Sequence, residues 1–203
     1  MYLPQKPFKI LKWFFLILVG AFIVLVIARA FHFYNLDKTN AEVAKIHATK
    51  LTIDDVMGKN LPPDPGADAN KTIAGIDANN NGIRDDVELA IFNTYPNSAK
   101  TRAVLLQYAL VLQMQMTLPI VNKETVTATV EDKSKALNCL WSITSRANIK
   151  KFTEETNKNE NFIESRQVNT EQRKKYRENI YEYLGSYSGS HESCDLDLTT
   201  LFN

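Results

Sequence analysis

The sequence predicts an all-α protein, with one N-terminal transmembrane helix followed by an exported bundle of four to five helices. Three observations favour this fold class. A continuously apolar run lies near the start of the chain, and the apolar residues further along recur at helical spacing. No stretch after the apolar run alternates with the period of two that marks a half-buried strand.

The apolar run covers residues 13–28 and lies between Lys12 and Arg29. It is slightly shorter than the roughly 20 residues that cross a bilayer, but the two flanking side chains can snorkel and lengthen the span. A cleaved signal peptide is the alternative, because Ala28-Arg29-Ala30 has the Ala-x-Ala form that follows a basic start. The arginine within that site and the length of the run favour an uncleaved anchor.

Local patterns after the run divide the chain further. A capping-box pattern at Thr39–Glu42 predicts the start of a short juxtamembrane helix. Prolines at positions 62, 63 and 65 predict an extended linker, because they cannot continue a helix. The predicted parts are a cytoplasmic N-terminus (1–12), a transmembrane anchor (13–30), a juxtamembrane helix (31–57), a Pro-rich linker (58–75) and a helical domain (76–203).

Five helices are predicted within the domain from apolar residues at i, i+3, i+4 and i+7. Pro96 and Pro119 separate neighbouring helices, and Gly185 and Gly189 end the last one. The spacing at the end of the chain predicts that one face of the last helix points to the core, and this face carries Tyr176, Ile180, Tyr183, Leu184 and Tyr187. The five predicted helices cover residues 86–95, 97–117, 122–146, 148–168 and 170–186.

The chain has only two cysteines, Cys139 in the third of these helices and Cys194 in the tail. In an exported segment, two cysteines most simply form one disulfide bond. The alternative is a reactive or zinc-binding Cys194 with His191, but two ligands are too few to favour it.

Oxygen-bearing side chains recur at fixed places in residues 77–88. The first, third, fifth, ninth and twelfth places carry Asp77, Asn79, Asn81, Asp85 and Glu88, and the sixth carries Gly82. Calcium takes six to eight oxygen ligands, and neighbouring residues can supply them only where the backbone curls sharply. Glycine at the sixth place permits that curl, because it tolerates backbone conformations that a Cβ penalises.

This stretch resembles the EF-hand loop and its shortened bacterial relatives. The resemblance covers only these twelve residues, and it implies calcium binding and nothing wider. It implies a closing bidentate carboxylate at Glu88, a backbone carbonyl ligand at Ile83, and a direct or water-bridged oxygen at Asp85. The remaining ligands would be the side chains of Asp77, Asn79 and Asn81.

The loop departs from the family pattern in three ways. Amides stand at Asn79 and Asn81, where carboxylates are usual, and Arg84 holds the eighth place, where an aliphatic side chain usually pairs with a second hand. No entering helix is predicted upstream. These departures imply a single half-hand of modest affinity. The metal-free alternative is a turn rich in Asp and Asn, followed by a capping box at Asp85–Glu88 that opens the next helix.

Charge and motif content argue against two function classes. Four of the 24 basic residues and none of the 23 acidic ones lie in the first 30 positions, so the remainder is slightly acidic. That balance lacks the concentrated basic face of a nucleic-acid-binding protein. The three histidines lie in no recognisable catalytic motif, and the chain has no phosphate loop or nucleophile elbow. Whether the protein is an enzyme stays open, with a non-catalytic role favoured.

These features together predict a membrane-anchored, exported calcium-binding protein that acts as an interaction or structural module in the cell envelope. Its expected place is the inner (cytoplasmic) membrane as a single-pass protein, with the C-terminal domain periplasmic or extracellular. The expected partners are the membrane and an unidentified envelope protein, and no nucleic acid. The alternatives are an exported hydrolase that acts on envelope material and a calcium-responsive sensor.

Overall fold

The computed structural model describes residues 6–189 and 194–203, with side chains from residue 10 onward. This part of the chain contains seven α-helices, two short 3₁₀ helices and no strand, which confirms the all-α fold class. The α-helices are α1 (Lys6–Ala48), α2 (Ile53–Met57), α3 (Asp85–Thr94), α4 (Ala99–Met116), α5 (Lys123–Ser142), α6 (Ile149–Gln167) and α7 (Glu171–Tyr181). The 3₁₀ helices cover Gly66–Asn70 and Leu198–Thr200.

The chain divides into two compact units, Met1–Ala41 and Glu42–Asn203, and α1 contributes to both. In the first unit, α1 is long and apolar enough from Ile10 onward to cross a membrane, and its apolar window is not buried. A signal sequence near an N-terminus has the same properties. The first five residues of the predicted cytoplasmic segment lie outside the described part of the chain.

The predicted start of a juxtamembrane helix at Thr39–Glu42 is wrong, because α1 passes through this stretch without a break. A capping box opens a helix only where the preceding backbone leaves the helical conformation. Residues 29–38 contain no glycine or proline that would cause such a break. A capping box does operate further along the chain, between Thr52 and Asp55 at the start of α2.

The core of the second unit is built around α4, which packs against α2, α3, α5, α6 and α7. Its predicted apolar face is buried, and so is most of the opposite face, because other helices surround it. The fully buried side chains include Leu105 and Leu112 on one face and Leu106 on another. A helix in this position needs little amphipathic character, since little of its surface faces water.

The predicted linker 58–75 is not a free spacer. Pro62 and Ala69 are buried within it, and the 3₁₀ helix Gly66–Asn70 contacts α3. The backbone carbonyls that follow this 3₁₀ helix accept hydrogen bonds from Arg173 of α7. The segment is therefore part of the folded unit.

The last predicted helix ends early. α7 stops at Tyr181, and the N–H groups of Glu182, Tyr183 and Leu184 bond to carbonyls three residues back, as in a tightened final turn. Ile180 is buried as predicted, but Tyr183 and Tyr187 are 51% and 45% exposed. The prediction that these two tyrosines face the core is therefore wrong.

The tail returns to the core and is held there covalently. The sulfur atoms of Cys139 in α5 and Cys194 lie 2.14 Å apart, the separation of a disulfide bond. Beyond the bond, Leu196 and Leu198 pack against the core and Leu201 is buried in it. The bond removes the Cys194 thiolate that a zinc site would need, and its proposed companion His191 lies outside the described residues.

Candidate metal centre

The loop 77–88 curls where its sequence permits left-handed backbone. Asn80 has φ = 56° and Gly82 has φ = 83°, and both values lie in the region that side chains disfavour. A Cβ atom on Gly82 would lie 2.8 Å from Cδ1 of Leu110 in α4. The sixth place therefore requires glycine for its backbone conformation and for its packing against the core.

Asp77 organises the first half of this loop. Its Oδ1 accepts a hydrogen bond from the Asn81 N–H at 3.1 Å, and its Oδ2 accepts one from the Gly82 N–H at 3.0 Å. Asn81 repeats the pattern, since its Oδ1 accepts from the Ile83 N–H at 2.9 Å. Such local bonds from Asp and Asn side chains fold a turn without help from outside.

Asp85 closes the loop from the other end, at the first residue of α3. Its Oδ1 accepts a hydrogen bond from the Ala78 N–H at 3.0 Å, and its own N–H donates to the Ile76 carbonyl at 2.9 Å. The side chain is fully buried. Burial raises the pKa of Asp85 above its ordinary value, although the bond from Ala78 partly opposes that rise.

Glu88, one turn into α3, is the most unusual group in the loop. Its side chain is only 1% exposed, and its carboxylate accepts hydrogen bonds at 3.1 Å from the Nδ2 atoms of Asn79 and Asn81. Burial raises the pKa of Glu88 to about 7, although these two amide bonds oppose the rise. The negative charges of Asp55 and Asp85 raise it further.

No basic side chain in the described part of the chain forms an ion pair with Glu88. The two asparagine amides are its only side-chain donors there. An ionised carboxylate that is buried without a cation is strongly disfavoured. The site therefore favours either a proton on Glu88 or a cation beside it.

Four of the six predicted ligand residues, Asp77, Asn79, Asn81 and Glu88, are joined by direct hydrogen bonds into one cluster. Asp85 instead bonds across the loop to Ala78. Ile83 is fully buried beside the cluster.

The residue types suit a hard cation only if the asparagines take part. Within the part of the chain that the structure describes, no group of three His, Cys, Asp or Glu side chains could hold a metal ion. Each asparagine amide carries a carbonyl oxygen besides the NH₂ that now faces Glu88, and rotation of the amide would exchange the two. With those oxygens presented, the donor set consists of oxygens only, as calcium prefers.

Two contacts of the loop were not predicted from the sequence. The Nδ2 atom of Asn79 also donates to the backbone carbonyl of Asn60 at 2.9 Å, which ties the loop to the segment after α2. Arg84, which is fully buried, reaches the C-terminal end of α6. Its place at the eighth position, where the EF-hand pattern has an aliphatic side chain, was a signal in the sequence, but the carbonyls that it binds lie more than 80 residues away along the chain.

The histidine that the structure places in a polar cluster is His47, near the end of α1. Its Nδ1 lies 3.0 Å from Asp132 Oδ1, and its Nε2 lies 3.7 Å from Glu131 Oε2. Both ring nitrogens therefore face carboxylates of α5. This arrangement suits a contact that fastens two helices, and it contains no nucleophile in a catalytic relay.

Comparison with known proteins gives this chain no family. No protein-family model, no curated protein and no solved structure matches it.

Proposed function

We propose that the protein is a membrane-anchored, exported helical module that binds one calcium ion in the loop 77–88 and uses it to stabilise its fold. The observation that carries this proposal is the buried carboxylate of Glu88, which is surrounded by oxygen-bearing side chains and forms no ion pair with any basic side chain among the described residues. A bound cation would supply the missing positive charge and would favour the ionised form of the carboxylate.

The proposed ligands are the side chains of Asp77, Asn79, Asn81, Asp85 and Glu88 and the backbone carbonyl of Ile83. Two of these side chains are neutral amides, which lowers the negative charge around the ion. We therefore expect a dissociation constant between about 10⁻⁴ and 10⁻³ M, as in extracellular calcium modules. Such an affinity is useful only where calcium is abundant, which favours a location outside the cytosol.

A structural role for the ion is favoured over a sensing role. Sensor proteins open on binding calcium and expose an apolar groove. Here the apolar residues beside the loop, Ile83, Val87 and Ile91, are fully buried in the core around α4. Opening that region would expose the centre of the domain, so we expect the ion to hold the loop closed.

The proposed location is the cell envelope. The apolar part of α1 would anchor the chain in the inner membrane, and the residues after it would lie in the periplasm or outside the cell. The disulfide distance between Cys139 and Cys194 supports an oxidising compartment. In this position we propose that the helical unit binds an envelope protein, and we assign it no catalytic role.

Thermal unfolding of the full-length chain in detergent micelles tests the structural role of calcium. Calcium at ten to 100 times its dissociation constant stabilises a folded state by about 1.4–2.7 kcal/mol. In a domain of this size we expect Tm to be about 3–10 °C higher than in chelator.

Two variants complete this test. We expect Glu88→Gln to lose the calcium effect on Tm. Glu124→Gln removes an exposed carboxylate from the first turn of α5, and we expect it to keep the effect. An unchanged Tm in the wild-type protein, or an equal rise in the Glu88→Gln variant, would contradict the proposal.

A further inference from the structure

The exit of the loop is fastened to the end of α6 by Arg84. Its Nη1 donates to the Gln167 carbonyl at 3.1 Å, and its Nη2 donates to the Arg166 carbonyl at 2.6 Å. These carbonyls belong to the last turn of α6, where no further helical N–H is available to them. A cation at this end of a helix is also favoured by the helix dipole. Arg84 thus caps α6 from within the loop.

The side chain of Arg84 is held in place by several contacts. Its Nε and Nη2 also donate to the carboxylate of Asp86, so the guanidinium is held from two sides. A Cβ atom on Gly75 would clash with Cδ of Arg84, which shows that the stem of the arginine lies directly against the backbone before the loop. Arg84 stands between two proposed ligands, Ile83 and Asp85, so its placement constrains both.

The entrance of the loop is fastened to the start of α7 by a second buried arginine, Arg173. Its guanidinium donates to three backbone carbonyls of the segment that leads into the loop, at 2.6–3.0 Å. It also donates to the side-chain oxygens of two asparagines. The backbone acceptors are Ala69, Thr72 and Ile73, and the side-chain acceptors are Asn70 and Asn169.

The two arginines approach the same stretch of backbone, because a Cβ atom on Gly75 would meet Cδ of Arg84 and would lie 3.0 Å from the Ala69 carbonyl oxygen that Arg173 binds. Burial lowers the pKa of Arg173 to about 10, and the positive charge of Arg84 contributes to that shift. Arg173 holds the residues before the loop, and Arg84 is itself the eighth residue of the loop. Arg84 bonds to the junction between α6 and α7, residues 166–173, and Arg173 belongs to it, so this junction supports both the loop and the segment before it.

We infer that Arg84 and Arg173 couple the calcium loop to the α6–α7 junction, so that calcium binding stabilises residues 166–173 together with the loop. This inference rests on the proposed calcium site. In the EF-hand pattern the eighth residue pairs with a second hand, and here the junction takes the place of that hand. Arg84 is a positioning residue in this proposal, since its side chain bonds to Asp86 and to the last carbonyls of α6 and to none of the proposed ligands.

Coupling of this kind is reciprocal, so replacing Arg84 must weaken calcium binding. Electrostatics alone predicts the opposite sign, because removing a positive charge beside the site and leaving Asp86 unpaired would attract a cation more strongly. The direction of the change in calcium affinity therefore separates the two roles. For Arg84→Gln we expect the dissociation constant to rise about tenfold, within the usual range of such couplings.

Hydrogen–deuterium exchange of the full-length chain in detergent micelles tests the inference, with calcium chloride or chelator as the only difference. In the wild-type protein we expect calcium to slow amide exchange about tenfold in residues 77–88 and in residues 166–173. In Arg84→Gln we expect slowing at the loop alone. Arg166→Gln removes a charge at the same junction but keeps the backbone carbonyl that Arg84 uses, so it serves as the matched control and should behave as the wild type.

Each outcome of this experiment decides a different claim. Slowing confined to the loop in the wild-type protein would overturn the coupling and leave the calcium site intact. No change anywhere would overturn the calcium site and the coupling with it. Tighter calcium binding by Arg84→Gln would overturn the positioning role. If that variant does not fold, Arg84→Lys keeps the charge and the stem but cannot reproduce the planar set of donors, so the junction should again lose its protection.

Discussion

Glu88 lies in the first turn of α3, where the helix dipole favours a negative charge, yet burial raises its pKa to about 7. The cost of burial therefore exceeds the help from the dipole and from the two asparagine amides. An ionised carboxylate that is buried without a cation destabilises the folded state. The same carboxylate is well placed as a metal ligand, because a bound cation makes its ionised form the favoured one.

The raised pKa of Glu88 predicts how stability depends on pH in the absence of calcium. The unfolded pKa is about 4.5 and the folded pKa is about 7, so the folded state holds a proton in this window that the unfolded state has lost. The stabilisation is complete below pH 4.5 and is lost as the pH rises through 7, with a total on the order of 3 kcal/mol.

Denaturant unfolding in chelator at a series of pH values checks this dependence. We expect the free energy of unfolding to fall between pH 4.5 and 7 in the wild-type protein, and Glu88→Gln to remove most of that fall. If the variant shows the same slope as the wild type, Glu88 is not the group responsible.

Replacing Gly82 tests how much its backbone conformation and its packing contribute to stability. Gly82→Ala places a Cβ in left-handed backbone and brings it against Leu110, so we expect it to destabilise the fold by about 2 kcal/mol. Gly66 also has a positive φ but has open space around it, so Gly66→Ala should cost only about 1 kcal/mol. Equal losses in the two variants, measured by denaturant unfolding, would show that packing against α4 contributes nothing.

At the scale of elements, the tail behaves as part of the core because it is tied to α5. Cys139 and Cys194 are separated by 55 positions, and closing a loop of that length restricts the unfolded chain. Asp195, next to the bond, accepts a hydrogen bond from the Leu51 N–H at 3.0 Å, and its own N–H donates to Gln107. The tail therefore joins the start of the helical unit to α4.

Removal of the disulfide tests this role of the tail. We expect reduction to lower the free energy of unfolding by roughly 4 kcal/mol, on the chain-entropy model. Thermal unfolding with and without a reductant measures the effect. The double variant Cys139→Ser/Cys194→Ser is the control, since the reductant should not change its Tm. An equal loss in that variant would show that the reductant acts elsewhere.

The positions of the helices were predictable from local sequence patterns, but the residues at which the helices end were less predictable. Pro96 and Pro119 mark the breaks on either side of α4 correctly, because proline excludes helix by its own geometry. The pattern at Thr39–Glu42 led to the wrong prediction of a helix start, since a capping box acts only if the chain before it is not helical. The early end of α7 was not predictable from the sequence either. Apolar residues keep their helical spacing beyond Tyr181, whereas the α-helical backbone ends there.

For the whole molecule, the fold class was predictable from the sequence, but the contacts that hold the loop in place were not. The twelve residues of the loop are consecutive in the chain, so their spacing alone was enough to predict that Asp77 and Glu88 belong to one site. Arg84 and Arg173 act through carbonyls about 80 and 100 residues away, and no local pattern reveals such partners. The packed state of the segment 58–75 was missed for the same reason, since Arg173 holds it in place.

Calorimetric titration of the full-length chain in detergent micelles with calcium chloride tests calcium binding most directly. We expect one calcium ion per chain, with a dissociation constant between about 0.1 and 1 mM. The binding heat should disappear in Glu88→Gln and remain in Glu124→Gln. The absence of saturable heat in the wild-type protein would contradict the calcium site and would leave the loop as a turn that opens α3.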